Sequence, residues 1–323
     1  MWHRYCFLLI LVFLPFASGA QFNIDDLQAQ QQTATIILEP SFPGPGDTVK
    51  ATVDAGRNVF GAEITWIYNG TELTTANNMR SAEFVAGAAG TSNQLTARLT
   101  SAEGGTQAVS TTISPLYLDL VIEPQTRVPD WYWGRALPSY SSQINATALI
   151  HNGTNFLDSD GIVYTWRIDK ETIENGAIRG GNKVSFSTPR GQTPVLFVTA
   201  ANLRGETIAS RAIRLNSVKP EMIYYEKHSL YGQRNISIKS AAALIGNVLT
   251  LQAEPYFLDT RVYNNPDIAQ WGINSITTDN GASNPYEITL SRAGLGGSTI
   301  VNFHVRSMQQ ISQGVEESIR VNF

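Results

Sequence analysis

Cysteine is all but missing: the one thiol among 323 residues is Cys6, near the start of the chain. A chain sent to an oxidising compartment without disulfides must be held by its hydrophobic cores, and domains of about 100 residues bury enough apolar area to manage it. Charge is scarce too, at 15% Asp, Glu, Lys and Arg with a net of −4. No Lys/Arg cluster could follow a phosphate backbone, which argues against a nucleic-acid partner. The four histidines, His3, His151, His228 and His304, stand far apart, without a second His or Cys at metal spacing. No Gly-x-Ser-x-Gly occurs and no phosphate-cradling loop opens a helix; Gly294-Leu295-Gly296-Gly297 joins two expected strands. The sequence therefore assigns no catalytic, cofactor-binding or metal residue, and the chain reads as non-enzymatic.

Long apolar runs are absent after residue 20, so no membrane span is expected once the first segment is removed. That segment, residues 1–20, has a weakly positive start, an apolar stretch from Phe7 to Ala17 and small residues at Ser18 and Ala20, the pattern of a secretory signal peptide. Residues 21–33 are polar and Gln-rich and are expected to form a flexible leader. No anchor or sorting motif is visible at the other end, so attachment to a cell would be non-covalent.

What is abundant is alternation. Ile64-Thr65-Trp66-Ile67-Tyr68, Tyr164-Thr165-Trp166-Arg167-Ile168 and Ala269-Gln270-Trp271-Gly272-Ile273 each place an indole at the centre of a period-two apolar face. The tryptophans are 166 − 66 = 100 and 271 − 166 = 105 residues apart, the length of one β-sandwich. A second strand also recurs, as Val49–Val53, Ile144–Leu149 and Val248–Ala253, and so does a closing hairpin around Glu103-Gly104-Gly105, Leu203-Arg204-Gly205-Glu206 and Gln309 to Gly314. Three segments returning in one order indicate duplication of a domain. Boundaries fall at Ser114-Pro115 and Lys219-Pro220, giving all-β immunoglobulin-like domains at 34–115, 116–219 and 220–323. Linkers this short predict a stiff rod.

Aromatic residues cluster in two places just after these boundaries. Residues 128–140 hold Trp131, Tyr132, Trp133 and Tyr140 between the first two strands of the second domain, and Tyr224 to Gly232 is expected to be the matching insertion of the third. The first cluster is the candidate partner-binding site. Its flat rings suit a protein partner or a sugar face, but their position directly after the boundary favours packing across the joint between the first and second domains. Asp158-Ser159-Asp160-Gly161 has half the pattern of a calcium loop, without the distal ligands, and reads as a solvated turn. Asn69, Asn145, Asn152 and Asn235 begin Asn-x-Ser/Thr triplets, and Asn69 also belongs to the Asn69-Gly70 turn.

With the Trp strand followed by a turn in place, the chain resembles bacterial immunoglobulin-like and PKD-like domains over most of residues 34–323. The order of signal, three such domains and aromatic insertions is also similar to exported envelope or pilus-associated proteins of candidate-phylum bacteria. The resemblance implies an exported structural or adhesion module at the cell surface or in the envelope, with a protein or glycan partner. A carbohydrate-binding protein using the loop of the second domain is the alternative.

Overall fold

The computed structural model describes residues 34–55, 61–191, 193–292, 294 and 296–323. The expected signal peptide and leader lie outside these. Nearly all of the regular structure is strand, arranged as three tandem immunoglobulin-like sandwiches of antiparallel sheets.

The first sandwich contains β1 (Thr35–Glu39), β2 (Thr48–Asp54), β3 (Glu63–Tyr68), β4 (Thr71–Glu72), β5 (Ser81–Val85), β6 (Asn93–Thr100) and β7 (Thr106–Ile113). They form a sheet of order β1-β2-β5 facing one of order β4-β3-β6-β7. The second repeats the plan with β8 (Tyr117–Pro124), β9 (Gln143–His151), β10 (Ile162–Ile168), β11 (Glu171–Arg179), β12 (Lys183–Ser187), β13 (Val195–Asn202) and β14 (Thr207–Arg214), in orders β12-β9-β8 and β11-β10-β13-β14. The third is larger: β15 (Glu221–His228), β16 (Gly232–Ile238), β17 (Ala241–Ala243), β18 (Val248–Tyr256), a five-residue helix α1 (Thr260–Asn264), β19 (Ile268–Ile273), β20 (Ile276–Thr278), β21 (Glu287–Ser291), β22 (Ser298–Arg306) and β23 (Gly314–Asn322). Its sheets run β16-β15-β18-β21 and β17-β23-β22-β19-β20, and β17 lies parallel to β23.

Each sandwich has its own apolar core, because alternate residues of facing strands point between the sheets. Trp66, Trp166 and Trp271 sit at the three centres, all at most 2% exposed. Burying an indole of roughly 150–250 Å² contributes on the order of 4–6 kcal/mol, provided its N–H finds a partner. In every copy it does, and at the same place. Trp66 donates to the Met79 carbonyl (3.0 Å), Trp166 to Gly181 (2.8 Å) and Trp271 to Pro285 (2.9 Å). Each acceptor stands two residues ahead of β5, β12 or β21, so the indole pins the opposite sheet's edge strand.

A second device recurs after the Trp strand. Asn69, Asp169 and Asn274 all adopt left-handed backbone, at φ 50°, 51° and 48°. This is a conformation that Asn and Asp tolerate better than most residues. Their side-chain oxygens accept the N–H of Gln94, Val195 and Ile300 at 2.9, 2.9 and 3.0 Å. The turn is thereby tied to the neighbouring strand.

One expectation is corrected in the third sandwich. Tyr224 to Gly232 is no inserted loop. Through His228 it belongs to β15, where Met222 and Tyr224 alternate into the core, and only the hairpin before β16 projects. Tyr224 hydroxyl donates to the Glu317 carbonyl at 2.6 Å and accepts the Phe303 N–H at 3.0 Å, so the side chain crosses the sandwich.

Candidate functional site

The segment from Gln125 to Ser142 leaves β8, crosses to the third sandwich and returns to β9. It begins as a short ribbon: Arg127 N–H donates to the Leu258 carbonyl (2.6 Å), Phe257 N–H to the Arg127 carbonyl (2.7 Å) and Thr260 N–H to the Gln125 carbonyl (2.9 Å). Thus the run following β8 pairs antiparallel with the run following β18. Phe257 takes a left-handed backbone (φ 61°) to make the turn, a strain that the surrounding bonds hold in place.

Side chains then fill the joint. Trp131 meets the edge of Tyr225 at 5.7 Å, and Tyr132 meets Tyr256 at 5.3 Å and Phe257 at 6.3 Å. Tyr225 and Tyr256 share a hydroxyl hydrogen bond of 2.7 Å beneath them. Trp131, Tyr225, Tyr256 and Phe257 form a small apolar cluster with Val128, Val218 and Ile223, and Tyr132 lies partly exposed against its edge. The expected packing between the first and second domains is therefore corrected: the aromatic loop packs on the third sandwich. The physical reason is direction. β8 runs away from the first sandwich, so an insertion after it emerges at the pole facing the third. Contact between the first and second sandwiches instead includes the close approaches of Gly90 to Asn152 and of Gly153 to Ala89.

A polar girdle closes the joint. Asp259 has no exposed side-chain surface and accepts the Gln143 N–H (2.8 Å) through Oδ2. It also accepts the N–H (2.8 Å) and guanidinium (2.8 and 3.0 Å) of Arg261. Burial pushes its pKa up, but these hydrogen bonds and the Arg261 charge outweigh burial and hold it below the usual value. Gln313, fully buried, accepts the Asp259 N–H (2.8 Å) and donates across the joint to Ser139 Oγ (2.9 Å) and the Tyr140 carbonyl (2.6 Å). Arg127 lies over the Tyr263 ring at 4.8 Å and 3.5 Å from Glu254, a carboxylate only 4% exposed. Burial raises the Glu254 pKa, and Arg127 only partly offsets this.

Of the four aromatic residues picked out by the sequence, Trp131 and Tyr132 face the third sandwich, and Tyr140 is half-buried with its carbonyl tied to Gln313. Trp133 alone projects, with 102% relative exposure. The loop aims it: Tyr132 folds over Gly134, where a Cβ would stand only 2.4 Å from the ring. The residues that sequence reasoning missed are Asp259, Gln313, Arg127 and Glu254. Their only local signal is Asp259-Thr260-Arg261, a helix N-cap pattern.

Asp158 accepts the Asp160 N–H at 3.1 Å as the cap of a short 3-10 turn. Among the described residues no group of three or more His, Cys, Asp or Glu is placed to hold a metal ion, and no helix is long and apolar enough to cross a membrane.

No protein-family model matches the chain, and no curated protein matches it. Among solved structures it is similar to three N-terminal domains of the Highly Immunogenic Outer Capsid protein of bacteriophage RB49 (10% identity, 90% of this chain and 97% of that one, TM-score 0.25). It is also similar to a Bacteroides ovatus mixed-linkage glucan utilization protein in complex with a heptasaccharide (14%, 89% and 70%, TM-score 0.22). A third is the central fibronectin-III array of RIM-binding protein (12%, 89% and 98%, TM-score 0.22). At such scores the fold assignment rests on the chain's own sheets and cores.

Proposed function

We propose that the chain is an exported, non-enzymatic interaction protein. It works at the cell surface or in the envelope as an immunoglobulin-like spacer, and a pilus-associated role is one setting for it. The observation that supports this reading is the joint between the second and third sandwiches. Buried Asp259 and Gln313, two backbone bonds between Arg127 and 257–258, and a ring cluster make two domains into one stiff piece. Stiffness of this kind serves reach and presentation. Labelling of intact cells with antibody to the chain, before and after surface proteolysis, tests the reading. Surface signal removed by protease supports it, and signal confined to the cytosol contradicts it, as does turnover on ester, peptide or glycoside panels.

Trp133 favours a second reading, carbohydrate binding, because it is an exposed ring on an anchored loop. A glycan array with wild type and Trp133→Ala separates the two. Binding lost in the variant supports a sugar site, and an inert wild type removes it.

A further inference from the structure

Edge strands expose unpaired N–H and C=O groups, and proteins guard them with charge, proline, bulges or brevity. Every described edge strand but one is guarded in this way. β1, β5, β8, β11, β12, β14, β16 and β21 all contain at least one Asp, Glu, Lys or Arg, among them Glu39, Glu83, Asp119, Glu171, Lys183 and Arg211. β4, β17 and β20 are two or three residues long. The exception is β7, Thr-Gln-Ala-Val-Ser-Thr-Thr-Ile, eight residues with no charge and no proline, pairing with β6 along its whole length without a bulge. Its counterparts show the contrast. β14 carries Arg211 and Arg214 and has a register shift against β13, and the end of β23 is covered by β17. Among the described residues no strand pairs with the outer side of β7, although β1 of the facing sheet passes close to it; β7 thus offers about 27 Å of ladder, rich in β-branched residues.

We propose that the outer edge of β7 pairs antiparallel with the same edge of a second copy of this chain. Two four-stranded sheets of the first sandwich then become one continuous sheet. The match in charge and length selects this occupant. Any other long edge of the chain would bring a charged residue against an uncharged one, whereas β7 against β7 opposes only neutral side chains. Opposed residues of an antiparallel pair lie on one face, so a two-fold axis through Val109 sets Ala108 against Ser110 and Thr106 against Thr112 of the other copy. All four are exposed in the single chain. On the inward face Val109 meets Val109, and Gln107 meets Thr111.

Size-exclusion chromatography with light scattering, from micromolar to millimolar chain, tests the pairing. Wild type is expected to move from the mass of one chain to that of two as concentration rises. Ala108→Lys with Ser110→Lys places Lys against Lys twice and is expected to weaken the dimer at least tenfold, with an unchanged circular dichroism spectrum. Ala108→Lys with Ser110→Glu places Lys against Glu twice and is expected to restore it. A wild type monomeric throughout, a double-lysine variant as dimeric as wild type, or a Lys/Glu variant that stays monomeric would each overturn the proposal. The first of these is also what an edge reserved for another protein's strand, or for this chain's own residues 21–33, would give.

Discussion

Asp259 Oδ2 in the third sandwich accepts the backbone N–H of Gln143 in the second at 2.8 Å, although the two residues are 116 positions apart. The same carboxylate binds Arg261, and its own N–H is held by Gln313, which reaches back to Ser139 and Tyr140. One buried acid therefore lies at the centre of the contact between two domains.

Asp259→Ala leaves the Gln143 N–H and the Arg261 N–H inside the joint without acceptors. Stranding these donors costs about 1–3 kcal/mol, while the half-exposed Arg261 guanidinium turns to water. Unfolding followed by calorimetry should change from one cooperative step for these two domains to separate steps.

Acid should act on the joint in two stages, because its two buried carboxylates are shifted in opposite directions. Burial raises Glu254 above its ordinary 4.5, so its ionised form is a cost to the fold, relieved as pH falls from neutral toward that value. Asp259 is held below 3.8, so its contribution is fully present above 3.8 and is lost as pH falls through its lower folded value. Thermal stability is expected to rise slightly between pH 7 and about 4.5 and to drop below pH 3.8. Glu254→Gln should abolish the rise and keep the drop, which a melting series against pH will read.

Trp131 and Trp133 are near neighbours with opposite consequences. Trp133→Ala removes a fully exposed ring and should change stability by no more than about 0.5 kcal/mol. Trp131→Ala empties the space beside Tyr225 and should cost about 1–3 kcal/mol, a half-buried version of a core truncation. Chemical denaturation of both variants checks the difference.

The three central indoles should respond alike to loss of the N–H. Trp66→Phe, Trp166→Phe and Trp271→Phe each deprive a carbonyl, of Met79, Gly181 or Pro285, of its donor. About 1–3 kcal/mol is expected for each, apart from the smaller ring's packing loss. Strongly unequal costs in denaturant titrations would show that the three pins are not equivalent.

What could be read from the sequence was local. Alternation about Trp66, Trp166 and Trp271 announces a strand half in a core, and Asn69-Gly70 announces its turn, because both follow from steric rules acting over a few residues. The first strand of the third domain shows the limit of such reading: the period of two through Met222 and Tyr224 marks where it starts, while the rings that follow suggest an insertion where β15 runs on to His228. Asp259 and Gln313 could not be found this way. Their partners Gln143 and Ser139 belong to another domain, and nothing near either residue in the chain reports on a neighbour more than a hundred positions away. The aromatic segment 128–140 stands out in the sequence, but which of its rings are covered depends on which pole of the sandwich it leaves.

The stiffness of the joint is the central claim, and a distance distribution measures it most directly. With Cys6 replaced by Ser, spin labels on Lys183→Cys in β12 and Ser291→Cys in β21 report the separation of the second and third sandwiches by pulsed electron resonance. A single narrow distribution that broadens on Asp259→Ala is predicted. A distribution already broad in the otherwise unaltered chain would contradict a locked pair of domains.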